Sequence, residues 1–261
     1  MKFILFIAAF ATTFLLFEAM ESQLKKPLDQ PSKKIIEDTV DEFLNDKVFD
    51  MVWKSTFHAL TLLESLDGWD DASTGTGVVT LSTSGDEVQI STGATSGGVG
   101  RIRKLPNKQG LLTFNQRSNF RTAFQLDVIT SEIAYMTVGN SEGPNAYGFK
   151  VSAGSLYGVT LDNNANENAV LLQSISANTT YNVEARYIPG NEPNTTGKVV
   201  FITGGDLVGP TEKGISIVNL PVTSQTVNPN LFDLRITSSA TGARILKVSF
   251  MEYLQRRNIL K

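Results

Sequence analysis

The chain has 261 residues, 41% of them apolar and 19% charged, and a formal net charge of -3. This composition excludes a fully disordered or fibrous chain, and without a broad cationic field nucleic acid is not an expected partner. Cysteine is absent and His58 is the one histidine, which removes disulfide frameworks, thiolate nucleophiles, Cys-ligated zinc and the material for a Ser-His-Asp triad.

Residues 1–20 read as a signal-like or membrane-anchor hydrophobic segment. Lys2 precedes an apolar run from Phe3 to Phe17, the charge order and length of a secretory h-region. As a helix the run spans about 22 Å, short of a bilayer core of about 30 Å. The residues after Phe17, from Glu18 to Ser22, give only a weak cleavage pattern. Three fates stay open: a cleaved export signal, a retained membrane anchor, or an arm that docks inside an assembly. Residues 21–34 form a polar linker carrying Lys25, Lys26, Pro27, Pro31, Lys33 and Lys34. Residues 35–60 predict a short amphipathic helix or connector. Ser32 is its candidate N-cap, and Ile35, Ile36, Val40, Phe43, Leu44, Val48, Met51 and Val52 recur near helical spacing between acidic residues. Such a stripe buries against the following domain or a sister chain, and its acid-rich polar face disfavours a membrane surface.

Residues 61–261 read as one β-sandwich. Short stretches rich in Val, Ile, Thr, Phe and Tyr are separated by Gly, Asn, Ser and Asp clusters, the spacing of a sandwich rather than of a βαβ chain. Phe120, Phe124 and Leu126 alternate with Arg121, Ala123 and Gln125. Tyr181, Val183, Ala185 and Tyr187 alternate with Asn182, Glu184 and Arg186. Phe232, Leu234 and Ile236 do the same, as do Leu246, Val248 and Phe250. Each pattern puts one face in a core and the other outward.

The order of segments carries a resemblance. Ser65-Leu66-Asp67-Gly68-Trp69, Gly77 to Ser82, Asn119 to Val128, Tyr147 to Val151 with Ser155 to Gly158, Thr180 to Ala185 and Asn219-Leu220-Pro221 together resemble the concanavalin A-like lectin/glucanase superfamily, including its laminin-G-like modules. The resemblance implies an all-β, two-sheet antiparallel jelly-roll sandwich, of the kind found in bacterial surface proteins and phage virion proteins. Fold and activity separate readily, so it does not name a function.

Catalytic members of that superfamily are mostly glycosidases, and a retaining mechanism needs two carboxyl groups about 5 to 5.5 Å apart. Along a single strand this means acids at i and i+2 or i+4. Asp127, Glu184 and Asp233 each lack such a neighbour, and the Glu-x-Asp-x-Glu signature is missing, so no enzymatic activity and no catalytic residue are expected. Asp67, Asp70 and Asp71 read as a solvated turn. Asp162, Asn164 and Asn166 alternate in a loop where oxygen ligands could curl around calcium, the one cofactor considered, although the frame of an EF-hand is absent. Sugar recognition pairs an exposed aromatic with loop Asn, Asp or Gly groups. The candidates are Trp69, Tyr135, Tyr147, Tyr157 and Tyr187, with Asn145 beside Tyr147; Trp69, Asn145, Tyr147 and Tyr157 are the selected set.

The expected function is a non-catalytic, surface-exposed carbohydrate-binding or adhesion protein. Its partners would be glycans or cell-surface polysaccharide, with membrane anchoring through the N-terminus if the hydrophobic segment is retained. The alternative is a structural subunit of a virion or surface filament, homo-oligomeric through the N-terminal arm. The first places the chain outside the cell or on its surface, the second in a particle.

Overall fold

The computed structural model describes residues 49–56, 69–81, 87–104, 114–190, 196–204, 211–222 and 232–256. The hydrophobic segment 1–20, the linker 21–34, the first part of the expected helix and His58 lie outside the described residues. The described chain opens with β1 (Phe49–Thr56), β2 (Trp69–Asp71), β3 (Val78–Leu81), β4 (Val88–Ser91) and β5 (Val99–Lys104). Next come β6 (Ser118–Leu126), β7 (Glu132–Val138), β8 (Ala146–Ser152), β9 (Ser155–Leu161) and β10 (Glu167–Ser174). The last are β11 (Tyr181–Ile188), β12 (Lys198–Thr203), β13 (Thr211–Ser216), β14 (Phe232–Ser238) and β15 (Ile245–Arg256).

All pairings are antiparallel and they form two sheets. The larger runs β13-β12-β11-β6-β15-β4-β3, with β1 also on β15; the smaller runs β10-β9-β8-β7-β14-β5-β2. Consecutive strands alternate between sheets in blocks, so neighbours such as β6 and β15 are far apart in sequence. This is the two-sheet antiparallel jelly-roll that the resemblance implies, and a sandwich as the strand texture predicts.

β15 organises the larger sheet. One edge pairs with β6 from Leu246 to Gln255. The other is shared end to end by β4, over Ile245–Val248, and β1, over Phe250–Arg256. Where a helix was expected across 35–60, residues 49–56 are therefore a strand. Met51 and Val52 fit helical spacing as well as a strand, an ambiguity common to short apolar runs. The open edge of β15 decides it by supplying backbone partners that a helix would not use. The sandwich accordingly starts before residue 61.

Inward side chains of both sheets form one core. Phe232, Leu234 and Ile236 of β14 are fully buried in it, as are Phe120 of β6, Phe149 of β8 and Phe201 of β12. Phe120 bridges the layers, its ring 6.3 Å from Phe149 and 5.8 Å from Phe232. Gly158 on β9 is required by close packing, since a Cβ there would run into the Phe201 ring. In β15 the alternation breaks. A register shift between Val248 and Phe250 turns Met251 and Tyr253 into the core at 0% exposure while Phe250 stays half-buried outside it. One extra residue in a bulge reverses the facing of everything after it.

Candidate functional site: the outer face of the larger sheet

The residues that alternate with the core positions of β11, β6 and β15 face outward, and register brings three charges into one row. Glu184 on β11 is directly opposite Arg121 on β6, and Arg121 is directly opposite Glu252 on β15. Arg121 donates from Nε to Glu184 Oε2 at 3.0 Å and from Nη1 to Glu252 Oε2 at 3.4 Å. Arg186, two residues along β11, donates to the other oxygen of Glu184 at 2.6 Å. The glutamate side chains are 11% and 10% exposed and the Arg121 guanidinium 42%, so the cation is the accessible part. Asn119 faces Arg186 and Ala123 faces exposed Asn182 in the neighbouring register positions. Val200 and Ile202 of β12, opposite Arg186 and Glu184, are buried although they alternate with the core residues Val199 and Phe201. The face thus combines guanidinium donors, carboxylate acceptors and amides with a small apolar floor.

Because β11 and β15 flank β6, the two carboxylates stand on strands about 9.6 Å apart. Their carboxylates reach toward each other across that gap and meet on opposite sides of the Arg121 guanidinium, from which both accept.

The residues selected from sequence are placed differently. Tyr147 offers no face to a ligand: it is fully buried, its hydroxyl meets Ser118 Oγ at 2.8 Å, and its ring stacks on Tyr187 at 5.6 Å. Burial pushes its phenol well above the usual range. Tyr187 is likewise internal, its hydroxyl donating to the Phe114 and Pro221 carbonyls at 2.7 and 3.0 Å. Asn145, 2% exposed, is a loop brace: its amide donates to Asn163 Oδ1 at 3.2 Å and its oxygen accepts from the Val222 amide at 2.8 Å. Trp69 packs against the core, stacked on Phe232 at 6.4 Å, with the Lys104 ammonium 5.9 Å from its ring centroid. Tyr157 alone of the selected aromatics is on an outer face, half-buried on the smaller sheet opposite Lys150.

The loop at 162–166 is closed by nitrogen donors. Asp162 accepts from the Asn164 amide at 2.8 Å, the Asn166 amide at 2.9 Å and the Asn166 side-chain nitrogen at 2.9 Å, and these bonds, led by the Asn166 side chain, hold its carboxyl below the usual range. The Asp162 carboxylate is thus engaged by nitrogen donors of its own loop, and among the described residues no group of three or more His, Cys, Asp or Glu is arranged for a metal. Asn145 does meet this loop, its backbone N–H donating to the Asp162 carbonyl at 2.8 Å. Asp70 and Asp71 are in strand β2 rather than in the turn expected of them: Asp70 pairs with Arg103 and Asp71 Oδ1 accepts from the Ser73 amide at 2.9 Å, while Asp67 lies outside the described residues. Glu184, Arg121 and Glu252 went unselected because their proximity depends on strand order, and nothing local to 121, 184 or 252 encodes it.

No protein-family model matches the chain, and no curated protein matches it in sequence. Among solved structures it is similar to a sialidase (TM-score 0.55, 9% identity, 79% of this chain and 18% of the sialidase chain). It is also similar to a protein of unknown function from Shewanella oneidensis MR-1 (TM-score 0.54, 13% identity, 91% and 98%). A third is Bacillus licheniformis beta-glucanase (TM-score 0.52, 12% identity, 77% and 96%). The chain spans under a fifth of the sialidase but nearly all of the other two. At these identities the likeness is one of fold, and together with the two antiparallel sheets it shows a jelly-roll sandwich, the fold it shares with that beta-glucanase.

Proposed function

We propose that this protein is a non-catalytic, lectin-like carbohydrate-binding protein that engages a glycan across the outer face of the larger sheet. The observation that carries the reading is the Glu184–Arg121–Glu252 row with Arg186 beside it. A sugar hydroxyl both donates and accepts, so acceptors and donors at a lateral spacing of about 4.8 Å hold several hydroxyls of an extended saccharide together. The fold shared with a beta-glucanase supports a saccharide as the ligand class, and the guanidinium between the carboxylates supports binding without hydrolysis. The hydrophobic run from Phe3 to Phe17 supports export to the cell surface or medium.

The test is a panel of soluble oligosaccharides that includes β-glucan oligomers, scored for binding and for release of reducing ends. The reading expects dissociation constants in the millimolar to micromolar range, on the order of a shallow polar site, and intact oligosaccharide. Turnover abolished by Glu184→Gln or Glu252→Gln would replace it with an enzyme.

A further inference from the structure

On the opposite side of the sandwich, a second row crosses the outer face of the smaller sheet. Arg101 (β5) faces Arg235 (β14), Arg235 faces Tyr135 (β7), Tyr135 faces Lys150 (β8) and Lys150 faces Tyr157 (β9). Two arginines directly opposite each other repel unless anions neutralise them. One anion is built in: Asp233, fully buried, accepts from Arg101 Nε at 2.8 Å and Nη2 at 2.6 Å, and from the Ser141 amide and hydroxyl at 2.9 and 2.7 Å.

The other anion is of a different kind. Glu142, at the tip of the turn between β7 and β8, gives one oxygen to Arg101 Nη1 at 2.6 Å and the other to Arg235 Nη1. A single carboxylate is thus gripped by two guanidiniums from two strands, the fork geometry suited to recognising carboxylates. Glu142 is 50% exposed, whereas the arginines are 11% and 12% exposed beneath it. The turn does not depend on that side chain. Ser141 anchors it to Asp233, Asn140 Oδ1 accepts from the Glu142 amide at 3.0 Å and from Arg101 Nη2 at 3.0 Å, and the Gly143 amide reaches the Asn140 carbonyl at 3.2 Å. Below it, Arg235 lies 4.9 Å from the Tyr135 ring centroid and Lys150 lies 5.3 Å from it.

We propose that Arg101 and Arg235 form a binding site for a carboxylate-bearing sugar of the uronic acid type, and that Glu142 closes it by standing where the sugar carboxylate would sit. With the carboxylate on the arginine pair, the ring extends along the row toward Lys150, about 10 Å away over two strand spacings, and half-buried Tyr157 follows. The site is independent of the face proposed above. Half-exposed Glu142 can leave the arginines for solvent in a way that fully buried Asp233 cannot.

Calorimetric titration of the full chain with glucuronate, glucose and inorganic sulfate tests this, on wild type, Glu142→Gln, Glu142→Ala and Arg235→Gln. An intramolecular competitor has an effective concentration in the millimolar range, so its removal should tighten glucuronate binding about tenfold in both Glu142 variants. Arg235→Gln should abolish that binding, and glucose should not bind here. A Glu142→Gln protein that melts like wild type and binds glucuronate no more tightly overturns the proposal, as does sulfate bound as strongly as glucuronate.

Discussion

Tyr147 and Ser118 join the two sheets through one buried hydrogen bond, Oη to Oγ at 2.8 Å, linking β8 of the smaller sheet to the first residue of β6 in the larger. A tyrosine that reads in sequence as a sugar platform is therefore a tie across the core. Tyr147→Phe should cost about 1 kcal/mol in urea unfolding, the usual worth of such a bond, and leave glycan binding unchanged. Weakened binding at unchanged stability would return Tyr147 to a ligand role.

Asp233 is a tightly constrained charge. Its carboxylate is fully buried and accepts four hydrogen bonds from Arg101 and Ser141. Asp233→Ala strands the 11%-exposed Arg101 guanidinium and should cost about 3–5 kcal/mol, the penalty for breaking a buried pair from one side. A loss below about 1 kcal/mol would show that Glu142 alone neutralises Arg101.

Glu132 gives the domain a pH response. Its side chain is 2% exposed and neither oxygen has a hydrogen-bond partner among the described residues. Burial raises its carboxyl above the ordinary 4.5, opposed by its own backbone amide and by Arg244 and reinforced by Asp127. The folded state then holds a proton that the unfolded state has released, over the interval from 4.5 up to the raised folded value. Stability contributed by this group must fall as pH rises through that interval. Urea unfolding of wild type and Glu132→Gln across pH 4 to 7 should show the glutamine variant losing this slope and gaining relative stability toward neutral pH. Parallel profiles would mean that Glu132 is ionised in the fold.

The fold was largely legible because period-two alternation is local. Phe232, Leu234 and Ile236 announce an inward face, and β14 puts all three in the core. Legibility failed where a distant partner decided the outcome. β1 exists because β15 is long enough to leave an edge beyond β4, and Met251 replaces Phe250 in the core because of a bulge that no residue pattern marks. The candidate site failed for the same reason. Acids sought along one strand missed Glu184 and Glu252, which meet only through the order β11-β6-β15. At Asp162, Asn164 and Asn166 the sequence showed the oxygens but not the nitrogen donors that hold the Asp162 carboxylate.

Arg121 is the group on which the proposed carbohydrate face depends, because it is the accessible cation holding two less exposed carboxylates in place. Heteronuclear NMR titration with β-glucan oligomers, on wild type and on Arg121→Ala and Asn182→Ala, tests the account most directly. It predicts shifts confined to a patch containing Asn119, Arg121, Asn182, Glu184 and Arg186. Affinity should fall about five- to thirtyfold in Arg121→Ala, equal to about 1 to 2 kcal/mol, and less in Asn182→Ala. Wild-type shifts centred on the loop at 162–166 or on Trp69, with Arg121→Ala binding as tightly as wild type, would contradict it.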